Sequence, residues 1–214
     1  MKNSSLLKNE LLFQYAAGTS SLAKSLMAST YLFLNSRESL IYSKFENYCG
    51  EELKKSPQVM PIKISADDCM NIKDSDAISM DKISVNPINK FIDNLQQIKW
   101  KKIFNGFYEY NFNLSASEKA KLIKMNPGAK VPLHSHNGKE FILVLEGSFS
   151  DEYGTYKKGS LQINDSNIKH TPTASKENGC ICLTITEQDL VFFGPLAPIL
   201  NIISLIKSFF HSSK

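Results

Sequence analysis

The fold of this chain is decided by residues 128–147, which read GAKVPLHSHNGKEFILVLEG. His134 and His136 are one residue apart, so on a β-strand their side chains point to the same face of the sheet. Asn137-Gly138 follows, and this dipeptide predicts a tight hairpin turn because both residues tolerate positive φ. The turn would bring Glu140 back beside the two imidazoles, at the start of an apolar run. Two imidazoles and one carboxylate on a shared face predict a site for a divalent cation.

A fourth candidate ligand is His170, so three of the four histidines of the chain fall in this one arrangement. The alternative is that His134 and His136 only line the polar mouth of a barrel, but their clustering with Glu140 and His170 favours a metal site. Three imidazoles and one carboxylate suit zinc, iron, manganese, nickel or copper. Four such ligands either close a tetrahedral structural site or leave positions open on a six-coordinate ion. The ligand set therefore leaves both a structural and a catalytic metal open.

Composition places the chain among ordinary globular proteins and argues against two kinds of partner. Of 214 residues, 42% are hydrophobic and 21% are charged, and the net charge of +4 is too small to indicate nucleic-acid binding. The start of the chain has no secretory pattern. Its longest uncharged stretch, residues 190–206, contains a glycine and two prolines and is short for a membrane span. We therefore expect a soluble, cytoplasmic protein.

The four cysteines, Cys49, Cys69, Cys180 and Cys182, form no disulfide-like framework, which favours a reducing compartment. On one strand Cys180 and Cys182 would share a face, with Cα atoms about 6.5–7 Å apart. That separation is at the upper limit for an unstrained disulfide. Their apolar neighbours favour buried core cysteines, and an oxidant-sensing or weakly metal-binding pair is the alternative.

Apolar periodicity predicts three short helices within residues 1–55. Gly18 is placed to end the first helix, residues 19–21 offer caps for the second, and the third is predicted over residues 36–48. Helices of this size bury little apolar surface, so we expect them to dock on a partner or on the rest of the chain. Residues 56–88 are rich in proline, acidic residues and serine, and they are predicted to be a linker.

Residues 89–214 have the pattern of a β-barrel, because short runs of strand formers alternate with Gly, Pro, Asn and Asp turns. The clearest predicted strands are Ala120–Met125, Glu140–Glu146, Gly159–Ile163 and Cys180–Thr186. A last strand, a turn and a short C-terminal helix are predicted after them. The predicted fold class is therefore α+β, with a small domain of three or four helices followed by an antiparallel barrel.

Two sets of motifs resemble known families. The spacing Gly-x5-His-x-His-x3-Glu-x6-Gly resembles the first motif of the cupins, which are antiparallel jelly-roll barrels, and Gly159 with His170 resembles part of the second. Four further segments resemble the ChrR-type anti-sigma factors: Tyr15-Ala-Ala-Gly18-Thr, Trp100, His170-Thr-Pro172 and Cys180-Ile-Cys182-Leu. This resemblance implies an N-terminal helical domain that binds a group IV (extracytoplasmic-function) sigma factor. It also implies a C-terminal cupin that binds zinc through His134, His136, Glu140 and His170.

The sequence departs from that family in its helical part. ChrR-type proteins typically hold a second zinc there through an N-terminal His and a His-x3-Cys-x2-Cys motif. Tyr31, Asn35 and Glu38 stand at the corresponding positions, and no histidine precedes His134. The N-terminal zinc site is therefore predicted to be absent, and the helices must keep their arrangement by other contacts or have lost sigma binding.

Two functions follow from different classes of protein. The first is a cytoplasmic anti-sigma factor, a transcriptional regulator of a stress response whose metal-binding cupin modulates release of the sigma factor. The alternative is a metal-dependent cupin dioxygenase or a cupin that binds a small molecule, since those proteins use the same ligand types. Glu152, Tyr153, Tyr156 and Asp165 lie near the site in the sequence and are candidates for groups that support its ligands, with ordinary surface residues as the favoured alternative. No residue of the sequence is assigned a catalytic role, and the question of enzymatic activity stays open.

Overall fold

A computed structural model describes residues 2–55, 95–114, 118–195, 197–198 and 201. The predicted linker over residues 56–88 lies outside the described residues, and so does most of the predicted C-terminal helix. Three α-helices come first, namely α1 (Lys2–Ala16), α2 (Leu22–Leu34) and α3 (Ser39–Lys55), with a 3₁₀ turn at Ser36–Glu38 before α3. The predicted order of three helices followed by strands is confirmed.

The ends of α1 and α2 follow from local hydrogen bonding. Gly18 has a φ of +68° after the end of α1, and its N–H donates to the carbonyl of Tyr15 at 3.2 Å. The Ser21 hydroxyl accepts a hydrogen bond from the N–H of Lys24 at 3.2 Å and caps the first turn of α2. The third helix continues to Lys55, beyond the predicted end at residue 48. Its last turns carry two (i, i+3) ion pairs, Glu51 with Lys54 and Glu52 with Lys55, and a single large apolar residue, Leu53, so the apolar pattern did not reveal them.

In the part of the chain that the structure describes, ten strands follow the helices, with a short 3₁₀ turn at Leu95–Gln97 before the first. Their bounds are β1 (Lys101–Phe104), β2 (Phe107–Asn111), β3 (Lys119–Met125), β4 (His134–His136), β5 (Glu140–Asp151), β6 (Gly154–Lys157), β7 (Leu161–Asn164), β8 (Thr173–Ala174), β9 (Cys180–Thr186) and β10 (Leu190–Phe192). The prediction for β9 is confirmed to the residue. The predicted strand Gly159–Ile163 begins and ends later, because Gly159 adopts a φ of +84° before β7.

The strands pair antiparallel in two sheets. The large sheet has the order β1-β2-β3-β9-β5-β6, and β7 and β8 also pair with β5; the small sheet contains β10 and β4. β5 has 12 residues, whereas the strands that pair with it have seven or fewer, and it bends at Gly147, where φ is +67°. A Cβ atom on Gly147 would lie 2.1 Å from the carbonyl oxygen of Gly179, so only glycine fits this bend. The predicted strand Glu140–Glu146 ends before Gly147, whereas β5 bends at Gly147 and continues to Asp151.

The helices and the large sheet share one hydrophobic core. α1 lies against β7, and α2 lies against β5 and β9. The odd-numbered residues of β9, and those of β5 up to Leu145, point toward the helices, and the even-numbered ones pack in a second cluster on the opposite face of the sheet. Beyond the register shift between Val144 and Glu146 the alternation of β5 reverses, and Phe149 packs in the second cluster. The buried members of the shared core are Leu11, Leu12, Ala23, Met27, Ala28, Tyr31, Leu95, Ala120, Leu122, Phe141, Leu143, Leu145, Ile163, Ile181, Leu183 and Ile185. The helices therefore dock on the rest of the chain, one of the two arrangements expected from their size.

Candidate metal centre

The structure brings together the four side chains that the sequence predicts as ligands. His134, His136, Glu140 and His170 are buried, and one nitrogen or oxygen atom of each lies within 4.8 Å of the others. Glu140 Oε2 lies 2.9 Å from His136 Nε2 and 3.6 Å from His170 Nε2. His170 Nε2 lies 3.1 Å from His134 Nε2 and 3.5 Å from His136 Nε2. Three imidazole nitrogens and one carboxylate oxygen thus face a common point.

Two backbone pairings hold the three histidines in place. β4, which carries His134 and His136, pairs with β10 in the small sheet. His134 also exchanges two backbone hydrogen bonds with His170, each of 3.1 Å. These bonds place His170 opposite His134, although 35 residues lie between them in the sequence. The fourth ligand is therefore positioned by the barrel and not by the local motif.

The predicted hairpin at Asn137-Gly138 is wrong, although its consequence is correct. β4 pairs with β10 and β5 pairs in the large sheet, so the two strands are not hydrogen-bonded to each other. Neither Asn137 nor Gly138 is among the described residues with positive φ. The connection crosses from one sheet to the other and delivers Glu140 beside His136 at the corner. The convergence comes from the packing of two sheets instead of a two-residue turn.

The geometry of the cluster fits a divalent metal ion. Ligand atoms about 2.0–2.1 Å from one zinc ion at tetrahedral angles lie roughly 3.3 Å from one another. Four of the six distances between the ligand atoms run from 2.9 Å, between Glu140 and His136, to 3.6 Å, between Glu140 and His170, and all six are within 4.8 Å. The donor set of nitrogen and oxygen atoms also suits a borderline divalent cation. The cupin part of the chain therefore contains a buried cluster that could bind a metal.

Outer hydrogen bonds turn two of the imidazoles so that Nε2 faces the centre. His134 Nδ1 donates to the carbonyl of Pro132 at 2.9 Å, and His170 Nδ1 donates to Asp151 Oδ2 at 3.0 Å. Because each Nδ1 carries the hydrogen in such a contact, Nε2 is left as the ligand atom. Asn164 Nδ2 donates to Glu140 Oε2 at 3.2 Å. Each contact fixes a ligand in the orientation that a metal requires.

The charges of the cluster favour a cation at its centre. Burial would raise the pKa of Glu140, but hydrogen bonds from His136 and His170 outweigh it and hold that pKa far below its usual range. Burial lowers the pKa of His134 to about 4. Burial also opposes protonation of His170, yet the hydrogen bonds to Asp151 and Glu140 prevail and raise its pKa to about 9. Without a metal, a proton on His170 therefore supplies the positive charge between the two carboxylates.

The sequence missed the residue that orients His170. Glu152, Tyr153, Tyr156 and Asp165 were the candidates for groups near the site, and Asp151 was not among them. Its side chain is completely buried, and Gln162 Nε2 donates to it at 2.7 Å. Three of the candidates contact residues near His170 instead of His170 itself. Glu152, for example, accepts a hydrogen bond from the N–H of Thr171. Asp165 only accepts from Asn167 in an exposed turn.

The two cysteines of β9 lie in the second hydrophobic cluster, on the face of the sheet away from the helices. Both are buried free thiols. The hydrogen bond with Cys180 and the burial of the site raise the pKa of Cys182 well above its usual value. A protonated, buried thiol is unreactive, which agrees with the prediction of core cysteines.

The three positions that differ from the ChrR-type zinc motif make polar contacts between elements. Glu38 accepts a hydrogen bond of 2.8 Å from Lys8 of α1, and the Lys8 ammonium lies 5.9 Å from the centre of the buried Tyr31 ring. Asn35 donates to the carbonyl of Gly159 at 2.9 Å, across the boundary between the helices and the barrel. These contacts tie α1, α2 and the barrel together.

Fold and site together define a cupin with a buried His3Glu cluster and a layer of three helices packed on its large sheet. Residues 89–189 match the protein family described as ChrR Cupin-like domain. The chain is 27% identical to the Anti-sigma-E factor ChrR of Cereibacter sphaeroides over 196 residues, which is 87% of this chain and 91% of that protein. The resemblance to ChrR-type anti-sigma factors and the α+β cupin fold are thus confirmed.

Solved structures agree with this assignment of fold. The structure of Rhodobacter sphaeroides SigE in complex with the anti-sigma ChrR contains a chain that matches with a TM-score of 0.69 and 28% identity, over 83% of this chain and 96% of that one. A putative acetylacetone dioxygenase from Methylibium petroleiphilum matches with a TM-score of only 0.42 and 16% identity, over 48% of this chain and 79% of that one. Among the described helices, none is long and apolar enough to cross a membrane.

Proposed function

We propose that this protein is a cytoplasmic anti-sigma factor that binds a group IV (extracytoplasmic-function) sigma factor. The observation that carries the proposal is the similarity to a ChrR chain solved with SigE, because that similarity covers 96% of the ChrR chain. It therefore includes helices as well as the cupin. In this proposal residues 1–55 bind the sigma factor, residues 56–88 link the two parts, and residues 89–214 form the cupin.

The outer surface of α1 and α3 supports a partner of this kind. No residue of α3 is fully buried, and the helix packs on α1 and the preceding 3₁₀ turn. Contiguous exposed apolar surface usually marks an interaction site in a soluble protein. We name this surface the α1/α3 face, and its large exposed apolar side chains are Leu6, Phe13, Leu40, Ile41, Tyr48 and Leu53. The proposed occupant is the sigma factor.

The proposed role of the cupin is to hold one divalent metal ion through His134, His136, Glu140 and His170. Three imidazoles and one carboxylate are a sufficient set for tetrahedral zinc, which is the metal that the family resemblance implies. Iron, manganese and nickel accept the same donors, so the metal content of purified protein must identify the ion. Bound in this place, the ion would replace the proton on His170 and join β4, β5 and the segment that contains His170.

The proposal is tested with purified full-length protein and a group IV sigma factor encoded in the same genome. A stable complex and inhibition of sigma-dependent transcription in vitro are the expected results. Leu40→Lys and Leu53→Lys should each weaken the complex, because they place a charge on the α1/α3 face. The matched control is Phe104→Lys, which changes an exposed aromatic residue on β1 of the barrel. Equal affinity of all three variants would refute the assignment of the α1/α3 face.

The alternative of a metal-dependent cupin dioxygenase or a small-molecule-binding cupin rests on the same donor set. Open coordination positions would be needed for substrate or dioxygen. Oxygen uptake by iron-loaded protein in the presence of small carbonyl compounds would support that alternative. Tightly bound zinc together with sigma-factor inhibition would count against it.

A further inference from the structure

We propose that Glu187 links the candidate metal centre to helix α2, so that the occupancy of the cupin is transmitted to the helical layer. This inference rests on the proposed function, because it concerns how the cupin would regulate sigma binding. Glu187 follows the last residue of β9 and lies at the boundary between the barrel and the helices. Each of its two carboxylate oxygens contacts a different part of the molecule.

The first oxygen holds the segment that carries a metal ligand. Glu187 Oε2 accepts a hydrogen bond of 3.0 Å from the backbone N–H of Lys139, the residue before Glu140. The backbone N–H of Glu187 donates in return to the carbonyl of Lys139 at 3.1 Å. A Cβ atom on Gly138 would lie 3.1 Å from Glu187 Cβ, so Glu187 packs closely against the segment before Glu140. A displacement of Glu140 by a metal ion would therefore move the partner of Glu187 directly.

The second oxygen holds helix α2. Glu187 Oε1 accepts from Lys24 Nζ at 2.9 Å, and Lys24 also forms an ion pair of 3.1 Å with Glu118. Glu118 in turn accepts from the hydroxyl of Ser21, the residue that caps α2. The Lys24 ammonium also lies 5.7 Å from the centre of the Phe141 ring, next to Glu140 in β5. The first turn of α2 is thus anchored on the strand ends that frame the metal cluster.

The burial of these groups separates them from ordinary surface ion pairs. The side chains of Lys24, Glu118 and Glu187 are 19%, 10% and 30% exposed, whereas the nearby pair of Lys139 with Glu10 is 35% and 43% exposed. Exposed pairs contribute little because water and salt screen them. Glu187 also makes its contacts from both oxygens at once, so a movement on one side changes the geometry of the other. The three partly buried groups are therefore the better candidates for a mechanical link.

The experiment compares zinc-loaded and chelator-treated full-length protein by hydrogen–deuterium exchange, which follows the amides of α2 without needing a sigma factor. In the wild-type protein we expect zinc to slow exchange in α2 by about 5-fold or more, the lower end of typical coupling between sites. Glu187→Gln keeps the size of the side chain and loses the ion pair, and Glu187→Ala loses both contacts. In both variants the zinc-dependent protection of α2 should disappear while zinc still binds.

The matched control is Asp189→Asn, which breaks the ion pair of Asp189 with Lys119 but leaves the contacts of the helices in place. This variant should keep the wild-type response of α2. Zinc-dependent protection of α2 that persists in Glu187→Ala would overturn the inference, and so would zinc binding to wild-type protein with no response in α2. Failure of the wild-type protein to bind any sigma factor would instead overturn the proposed function, whatever the exchange experiment shows.

Discussion

Met27→Ala is the substitution that tests the shared core of helices and barrel most sharply. Met27 lies in α2, is 0% exposed, and belongs to the cluster that includes residues of β3, β5, β7 and β9. Truncation of a buried methionine to alanine costs about 2–5 kcal/mol, because transfer energy is lost and a cavity remains. The matched control is Leu22→Ala in the same helix, where the side chain is 64% exposed and the expected change is within about 0.5 kcal/mol.

The assay is urea unfolding followed by two probes. Circular dichroism at 222 nm reports mainly on the helices, and fluorescence reports on Trp100, the single tryptophan, which packs against the shared core at the start of the barrel. Because the core is common, we expect both probes to show one transition in the wild-type protein and the same loss of stability in Met27→Ala. If only the dichroism transition shifts in Met27→Ala, the helices unfold independently of the barrel. That result would contradict a core shared by the helices and the barrel.

Three further predictions concern the metal centre and the strand bend. Asp151→Asn should weaken zinc binding about 10- to 100-fold in a chelator competition, while Asp165→Asn, at a partly exposed turn, should leave it unchanged; equal affinities would show that Asp151 does not orient His170. In metal-free protein, the pKa of His170 rises from 6.5 to about 9 on folding, so its stabilising contribution is complete below about pH 6.5 and is lost as the pH rises to about 9. The melting temperature of metal-free protein should therefore fall across that window, and a flat profile would contradict the assignment of the proton to His170. Gly147→Ala should abolish the native fold, because the added Cβ meets the Gly179 carbonyl; native dichroism and zinc binding in this variant would disprove the bend.

Local patterns in the sequence predicted the elements whose limits are set by local chemistry. β9 was predicted to its exact residues because Gly179 precedes it and its residues form an unbroken run of apolar residues and threonines. The caps at Gly18 and Ser21 were predicted for the same reason, since the hydrogen bonds that form them lie within a few residues. The candidate ligand set of three histidines and Glu140 was visible because only one other histidine occurs in the sequence.

The features that were missed depend on contacts between distant parts of the chain. The corner between β4 and β5 arises from pairing with β10, which no dipeptide signal encodes. β5 was predicted to end before Gly147, because a glycine at a strand end usually means a turn. In the structure Gly147 bends the strand, and Asp151 at the far end of β5 contacts His170. The docking of α2 on the barrel could not be predicted either, because the sequence does not show which faces of the strands remain uncovered.

The proposal that this protein is an anti-sigma factor can be tested by one measurement. This measurement is the affinity of the purified full-length chain for a group IV sigma factor of its own genome. Isothermal titration calorimetry, paired with transcription from a promoter of that sigma factor, is the measurement. We expect a one-to-one complex that silences the promoter and that Leu40→Lys weakens. Absence of a complex with every group IV sigma factor of that genome, with transcription unaffected, would contradict it.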